Sequence, residues 1–134
     1  MKKFLLCLLA SWALNATAAV SVIVHPSNAD SIDESTIKRL FLGKDKSFPG
    51  GTSAEPINLA DGSDGQSVFN DAVLSKSDSQ VKAYWSKLLF TGKGTPPPTV
   101  DNDAAMLQAV ASNPNAIGYI TGDADGSVKV IGTF

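Results

Sequence analysis

The apolar stretch from Phe4 to Leu14 limits everything that follows it. Lys2 and Lys3 precede it, and the small residues Ala16, Ala18 and Ala19 come after. A positive start, a short apolar run and small residues form the three-part layout of a secretory signal peptide, and the run is too short to stay in a bilayer as a spanning helix. Residues 1–19 are therefore expected to be a signal peptide, cut after Ala18 or Ala19, and residues 20–134 the folded domain. Cys7, the sole cysteine, lies in the part expected to be removed. The remaining chain would have no thiol for a disulfide, a thiolate metal site or a nucleophile. Roughly 115 residues are left, the usual size of one domain around one core.

Charge narrows the partners. Of 11 basic side chains, Lys2 and Lys3 lie in the leader, so nine stand against 13 acidic ones, a net charge of −4. A mildly acidic chain with scattered lysines lacks the electrostatic footprint of a nucleic-acid binder. No second apolar run is long enough to act as a stable membrane anchor. The expectation is a soluble protein exported to the periplasm, or secreted.

Along the domain, Val20 to Val24 reads as a buried strand ended by His25-Pro26-Ser27-Asn28. Ser31 and Glu34 have capping-box spacing ahead of Ile37, Leu40 and Phe41, which predicts a helix over 33–42 closed by Gly43. Pro56 to Ala60 reads as a second strand, followed by Asp61-Gly62-Ser63-Asp64-Gly65 and a helix over 66–74 that buries Phe69 and Val73. Ser77 with Gln80 opens a helix over 78–90, with Val81, Tyr84, Trp85, Leu88 and Leu89 as a core stripe. Pro96-Pro97-Pro98 predicts an extended loop. Asp101 is placed as the cap of a helix over 102–112 burying Met106, Leu107 and Val110. Strands follow at 116–120 and 127–131, with Asp125-Gly126 as a hairpin signal between them. This order predicts an α/β fold, a mixed sheet flanked by helices.

Chemistry gathers where the second strand meets the second helix. Ligands in open α/β sheets collect at strand C-terminal ends. There the first amides of a helix lack internal partners and favour an anion. Gly62 and Gly65 permit close backbone approach, and Ser63 and Ser67 offer hydroxyls. The same residues also suit a plain turn, with Ser63 and Gln66 as a capping pair. Asp64 would compete for the positive helix end.

The strings "IKRLFLGK", "DGSDGQSVF", "YWSKLLFTGKG" and "NPNAIGYI", in this order, resemble the phosphate-binding proteins of phosphate ABC importers, especially a short, one-lobe subgroup. The similarity runs over nearly the whole domain. It implies a single lobe of the type II periplasmic-binding-protein fold and binding of a small oxyanion such as inorganic phosphate, in the service of phosphate import. The resemblance implies Asp61, accepting a proton from phosphate, and Ser63 as ligand residues; together with the helix-head reading, the expected ligand-binding set is Asp61, Gly62, Ser63, Gly65, Gln66 and Ser67. Two departures stand out. Leu59 occupies the position of the family's arginine, and Asp64-Gly65 replaces its glycine–threonine pair. One lobe also leaves a ligand facing water, where each electrostatic contact weakens. A homodimer or an envelope partner would restore a closed site. A non-transport interaction or sensor module that kept the lobe and lost the ligand is the alternative.

Other residues offer less. His25 is the lone histidine and cannot make a zinc site by itself. Ser27 and Asn28 sit at the same strand end, where they would add donors to a cleft. Ser63 lacks the G-x-S-x-G spacing of a hydrolase elbow, so no enzyme and no catalytic residue is expected. Asp123-Ala124-Asp125-Gly126 lacks the later ligands of a calcium loop. Among the lysines, Lys93, between two glycines, is the one expected to reach an anion. No cofactor or metal is implied.

Overall fold

The computed structural model describes residues 19–134. Residues 1–18 of the expected signal segment thus lie outside the described residues. The chain runs β1 (Ser21–Val24), α1 (Glu34–Phe41), β2 (Glu55–Pro56), β3 (Asn58–Leu59), α2 (Asp64–Phe69) with a π-helical extension (Asn70–Leu74), α3 (Asp78–Phe90), β4 (Thr99–Val100), α4 (Asp103–Ala111), β5 (Ala116–Ile120) and β6 (Lys129–Thr133). One four-stranded sheet has the order β2-β5-β1-β6; β3 and β4 form a separate parallel pair. β1 is antiparallel to both β5 and β6, whereas β2 is parallel to β5. This is the expected mixed α/β sheet with flanking helices.

β5 shows why the sheet is covered on both faces. All five of its residues are buried, and successive side chains in a strand point to opposite faces. At Gly118 an added Cβ would lie 2.4 Å from the Met106 sulfur, so α4 packs directly on that face. One residue on, Tyr119 points the other way and stacks on Phe69, with centroids 3.9 Å apart and planes 2° from parallel. Phe41 closes the cluster edge-on to Phe69 at 4.6 Å. Apolar burial of this kind is the main term that seats α1 and α2 on the sheet.

Helix ends follow local chemistry. Ser77 and Gln80 make the expected reciprocal capping box at the head of α3. Gly43 takes φ +73 after α1, and its amide donates to Leu40 O while that of Lys44 donates to Arg39 O. Two expected caps are corrected. Asp33, not Ser31, caps α1 by accepting from the Thr36 amide. Asn102, not Asp101, caps α4 by accepting from Ala105. In each case the competing residue stands too early for its side chain to reach the third helical amide.

Three larger differences concern tertiary pairing. The expected strand over 56–60 is two short strands that serve different sheets, because β2 pairs with β5 and β3 with β4. Asp125-Gly126 does not make a hairpin: β1 lies between β5 and β6. Asp125 instead accepts from the Ser127 amide in a local turn, and the last strand begins two residues later than expected, at Lys129. Of the expected α3 stripe, Trp85 is buried and Val81 and Tyr84 pack half-buried against the core, but Leu89 is 51% exposed; Phe90 beside it is 93% exposed. Leu107, expected in the core, is half-buried. Among the described residues no helix is long and apolar enough to cross a membrane.

Candidate functional site

The turn Ala60–Ser63 leaves β3 and delivers the chain to the head of α2. Gly62 adopts φ +80, a left-handed conformation that glycine takes without steric cost. Ser63 is the N-cap, and its Oγ accepts from the Gln66 amide at 3.2 Å. Gln66 does not return the bond. Its side-chain Nε2 donates to Asp61 Oδ1 at 2.8 Å, so the capping pair is one-sided. The amide of Ser67 is taken by Ser63 O. Those of Asp64 and Gly65 find no partner among the described residues. The helix that follows has six α and five π residues in succession.

The six residues implied as a ligand set divide between two hollows on either side of this helix head. Ser63 and Gly65 line one of about 420 Å³, together with Leu59, Asp101, Asn102, Asp103, Ala104 and Thr121. Asp61, Gly62 and Gln66 line the other, of about 360 Å³. Ser67 lines neither; its hydroxyl donates to Asp78.

The Ser63 hollow has a mixed electrostatic character. A Cβ on Gly65 would fall 2.4 Å from Leu59 Cδ1 and 2.9 Å from Thr121 Cγ2. Leu59, buried to 4% exposure, therefore packs on the helix head where the resemblance puts an arginine. Asp103 is bound by the amides of Thr121 and Gly122 and by the Thr121 hydroxyl, at 2.8–3.1 Å. Asp64 and Asp101 are exposed. The positive pole of the helix is thus surrounded by carboxylates, with no cation among the lining residues.

The second hollow lies between α2, its π extension, α3 and the Pro96–Pro98 loop. Its polar side is a network. Tyr119 Oη donates to Asn58 Oδ1 at 3.0 Å and accepts from the Leu59 amide at 3.1 Å. Burial pushes the Tyr119 hydroxyl far above its ordinary titration range. Asn70 Nδ2 donates to Asp78 Oδ1 at 2.9 Å. The Ser67 hydroxyl, and after it the Asn70 amide, hold the Asp78 carboxyl below its usual range. The apolar side is made by Val81, Trp85, Leu89, Pro96 and Pro97, and Lys82 is the one lysine on its wall.

The Asp78 tie has a consequence for stability. A carboxyl whose pKa is lowered by folding adds stability above the ordinary carboxylate range and loses it as pH falls through the folded value. Asp33 and Asp125 are shifted the same way by Thr36 and Ser127. Stability should hold at neutral pH and decline below about pH 4. Urea midpoints followed downward from pH 7 should fall less steeply for Asp78→Asn than for the parent chain. Equal slopes would mean that the tie contributes nothing.

Several sequence-expected residues lie elsewhere. His25 turns back on its own loop, with Nδ1 2.8 Å from Ser27 Oγ. Asn28 Oδ1 accepts from the Asp30 amide. Neither His25, Ser27 nor Asn28 lines either hollow, and Lys93 is exposed and lines neither. Lys82, which reads as an ordinary helix-surface charge, is the lysine that reaches a hollow. Asn58, Asn70 and Asp78 carry no motif. The sole local hint was the Ser77 cap, which places Asp78 in the first turn of α3. Among the described residues no cluster of potential metal ligands occurs.

No protein-family model matches the sequence, and no curated protein matches it. Solved structures do. A putative phosphate ABC transporter substrate-binding protein with bound phosphate from Clostridium perfringens is similar at TM-score 0.66 and 20% identity, over 85% of this chain and 45% of that one. An ABC-type phosphate transport receptor from Vibrio cholerae gives 0.63 and 16%, over 85% and 46%. PstS from Borrelia burgdorferi gives 0.56 and 17%, over 76% and 40%. The chain spans less than half the length of each. It has the mixed α/β fold of one lobe of a phosphate ABC transporter substrate-binding protein.

Proposed function

We propose that this protein is an exported, non-enzymatic binding module that holds a small oxyanion at the head of α2, inorganic phosphate being the first candidate. The ligand would meet the Ser63 hydroxyl, which still has its proton to donate, and the amides of Asp64 and Gly65. The observation that carries the reading is the solvent-reachable hollow at that helix head, in a fold similar to that of a protein with bound phosphate. Asp61, Gln66 and Ser67 act behind the site, through the bonds that fix the turn and the helix. A single lobe gives open, weak binding, and a second copy or an envelope partner completes the clamp. Service to a phosphate importer in the periplasm is the corresponding biological role.

A second reading has its own support. Leu59 packed on Gly65, with Asp64, Asp101 and Asp103 nearby, favours a lobe that has given up its anion and kept an interaction role. Titration calorimetry with phosphate and sulfate separates the two. The binding reading expects millimolar phosphate affinity, tightened about ten-fold by Leu59→Arg, since a charge-assisted bond adds about 1.5–3 kcal/mol. Asp64→Asn, at an exposed position, should tighten it about three-fold, and it serves if the buried Leu59 site rejects arginine. Absence of heat with the parent chain and both folded variants would overturn the binding reading and leave the interaction role.

A further inference from the structure

The hollow between α2, α3 and the Pro96–Pro98 loop has a chemistry of its own. Gln66 and Asn70 on its floor are buried to 9% and 3% exposure. The amide nitrogen of each is committed to a carboxylate, Asp61 and Asp78 respectively. Because an ionised carboxylate only accepts, these bonds fix which way both amides face. Among the described residues, the carbonyl oxygens Gln66 Oε1 and Asn70 Oδ1 have no protein partner, and no side-chain polar atom is sealed from solvent without one. Neither oxygen is therefore sealed, and both residues line the hollow.

Charge points the same way. Two carboxylates, Asp61 and Asp78, face one ammonium, Lys82. Asp61 Oδ2 is free, since only Oδ1 is bonded to Gln66. Asp78 is kept ionised by the donors of Ser67 and Asn70. Lys82, Asp61 and Asp78 are all exposed, so the charges form the rim, whereas Gln66 and Asn70 are buried. Opposite them, Trp85 presents a largely buried aromatic surface flanked by Val81, Leu89, Pro96 and Pro97. Such a wall suits an apolar body, and an aromatic face also attracts a cation. At about 360 Å³ the hollow has the size of a small-ligand site.

We propose that this hollow is a second binding site, for a small organic ammonium compound with an apolar body, the ammonium donating to the Gln66 and Asn70 carbonyls and Asp61, the body lying on Trp85 and the prolines. It is independent of the oxyanion reading, which concerns the other side of the helix head.

The test uses phenethylammonium as probe, with phenethyl alcohol and hydrocinnamate as the neutral and anionic counterparts, in calorimetric titrations of the full chain. Phenethylammonium should bind saturably, and at least about ten-fold more tightly than either counterpart. Asp61→Asn should weaken it about five-fold, the scale of one partly exposed charge-assisted contact. Lys82→Met should strengthen it, because a like charge leaves the rim. Both substitutions are at exposed positions, and circular dichroism confirms that the variants fold. No saturable binding of the ammonium, equal or tighter binding of hydrocinnamate, or weaker ammonium binding by Lys82→Met would each overturn the proposal. Ser63→Ala should leave the ammonium titration unchanged, which separates its outcome from that of the phosphate experiment.

Discussion

Replacing Phe69 with alanine should cost about 3–5 kcal/mol, the usual loss for deleting a fully buried aromatic side chain. For a domain of this size that corresponds to a melting temperature lower by roughly 12–20 °C. Phe69 has 0% exposure and ends α2. Its ring is stacked on Tyr119 and edge-on to Phe41. Deleting it empties the seat that holds the helix head against β5. The effect should therefore reach beyond stability: phosphate binding at Ser63 should weaken even where the variant remains folded. Phe90→Ala is the matched control. That ring is 93% exposed, and its loss should change stability by less than about 0.5 kcal/mol. If thermal melts show the two variants alike, the aromatic cluster does not seat α2.

Tyr119→Phe should cost about 1–3 kcal/mol through the loss of a single oxygen, because buried polar partners left unsatisfied lose more than the bond itself returned. The ring and its stacking on Phe69 remain. What disappears is the acceptor for the Leu59 amide and the donor to Asn58 Oδ1. β3 has only two residues, Asn58 and Leu59. Its attachment to the body of the protein thus depends heavily on this hydroxyl. Hydrogen exchange supplies the specific readout. The Leu59 amide should exchange faster in the variant, while the amides of β1 should change only in step with global stability. Unchanged protection at Leu59 would show that other contacts hold β3.

The candidate sites were legible to different degrees. "DGSDG" drew attention to the head of α2 because glycines, a capping serine and a strand end coincide within a few residues. The sequence could not reveal that Asp61 and Gln66 face one way and Ser63 the other, since that depends on how α2 rolls onto Tyr119. It offered still less for the second hollow. Asn58 and Thr99 come from β3 and β4, whose pairing across 41 positions brings them together. Gln66 and Asn70 look like ordinary polar helix residues until packing buries them. The stripe of α3 misled for a related reason. Apolar periodicity marks a face, but Leu89 extends past the body that would cover it.

By itself the sequence determined the features closed by bonds between near neighbours. The Ser77–Gln80 box set the start of α3, Gly43 set the end of α1, and Asn113-Pro114-Asn115 before a short apolar run set β5. Such bonds span five residues or fewer, so little chain entropy opposes them and distant residues rarely compete. Only the tertiary structure decided that β1 would separate β5 from β6, that residues 55–59 would serve two sheets, and that two hollows would flank one helix head. Strand partners gain their free energy from burial shared across the whole core, and a local turn signal such as Asp125-Gly126 is small against it.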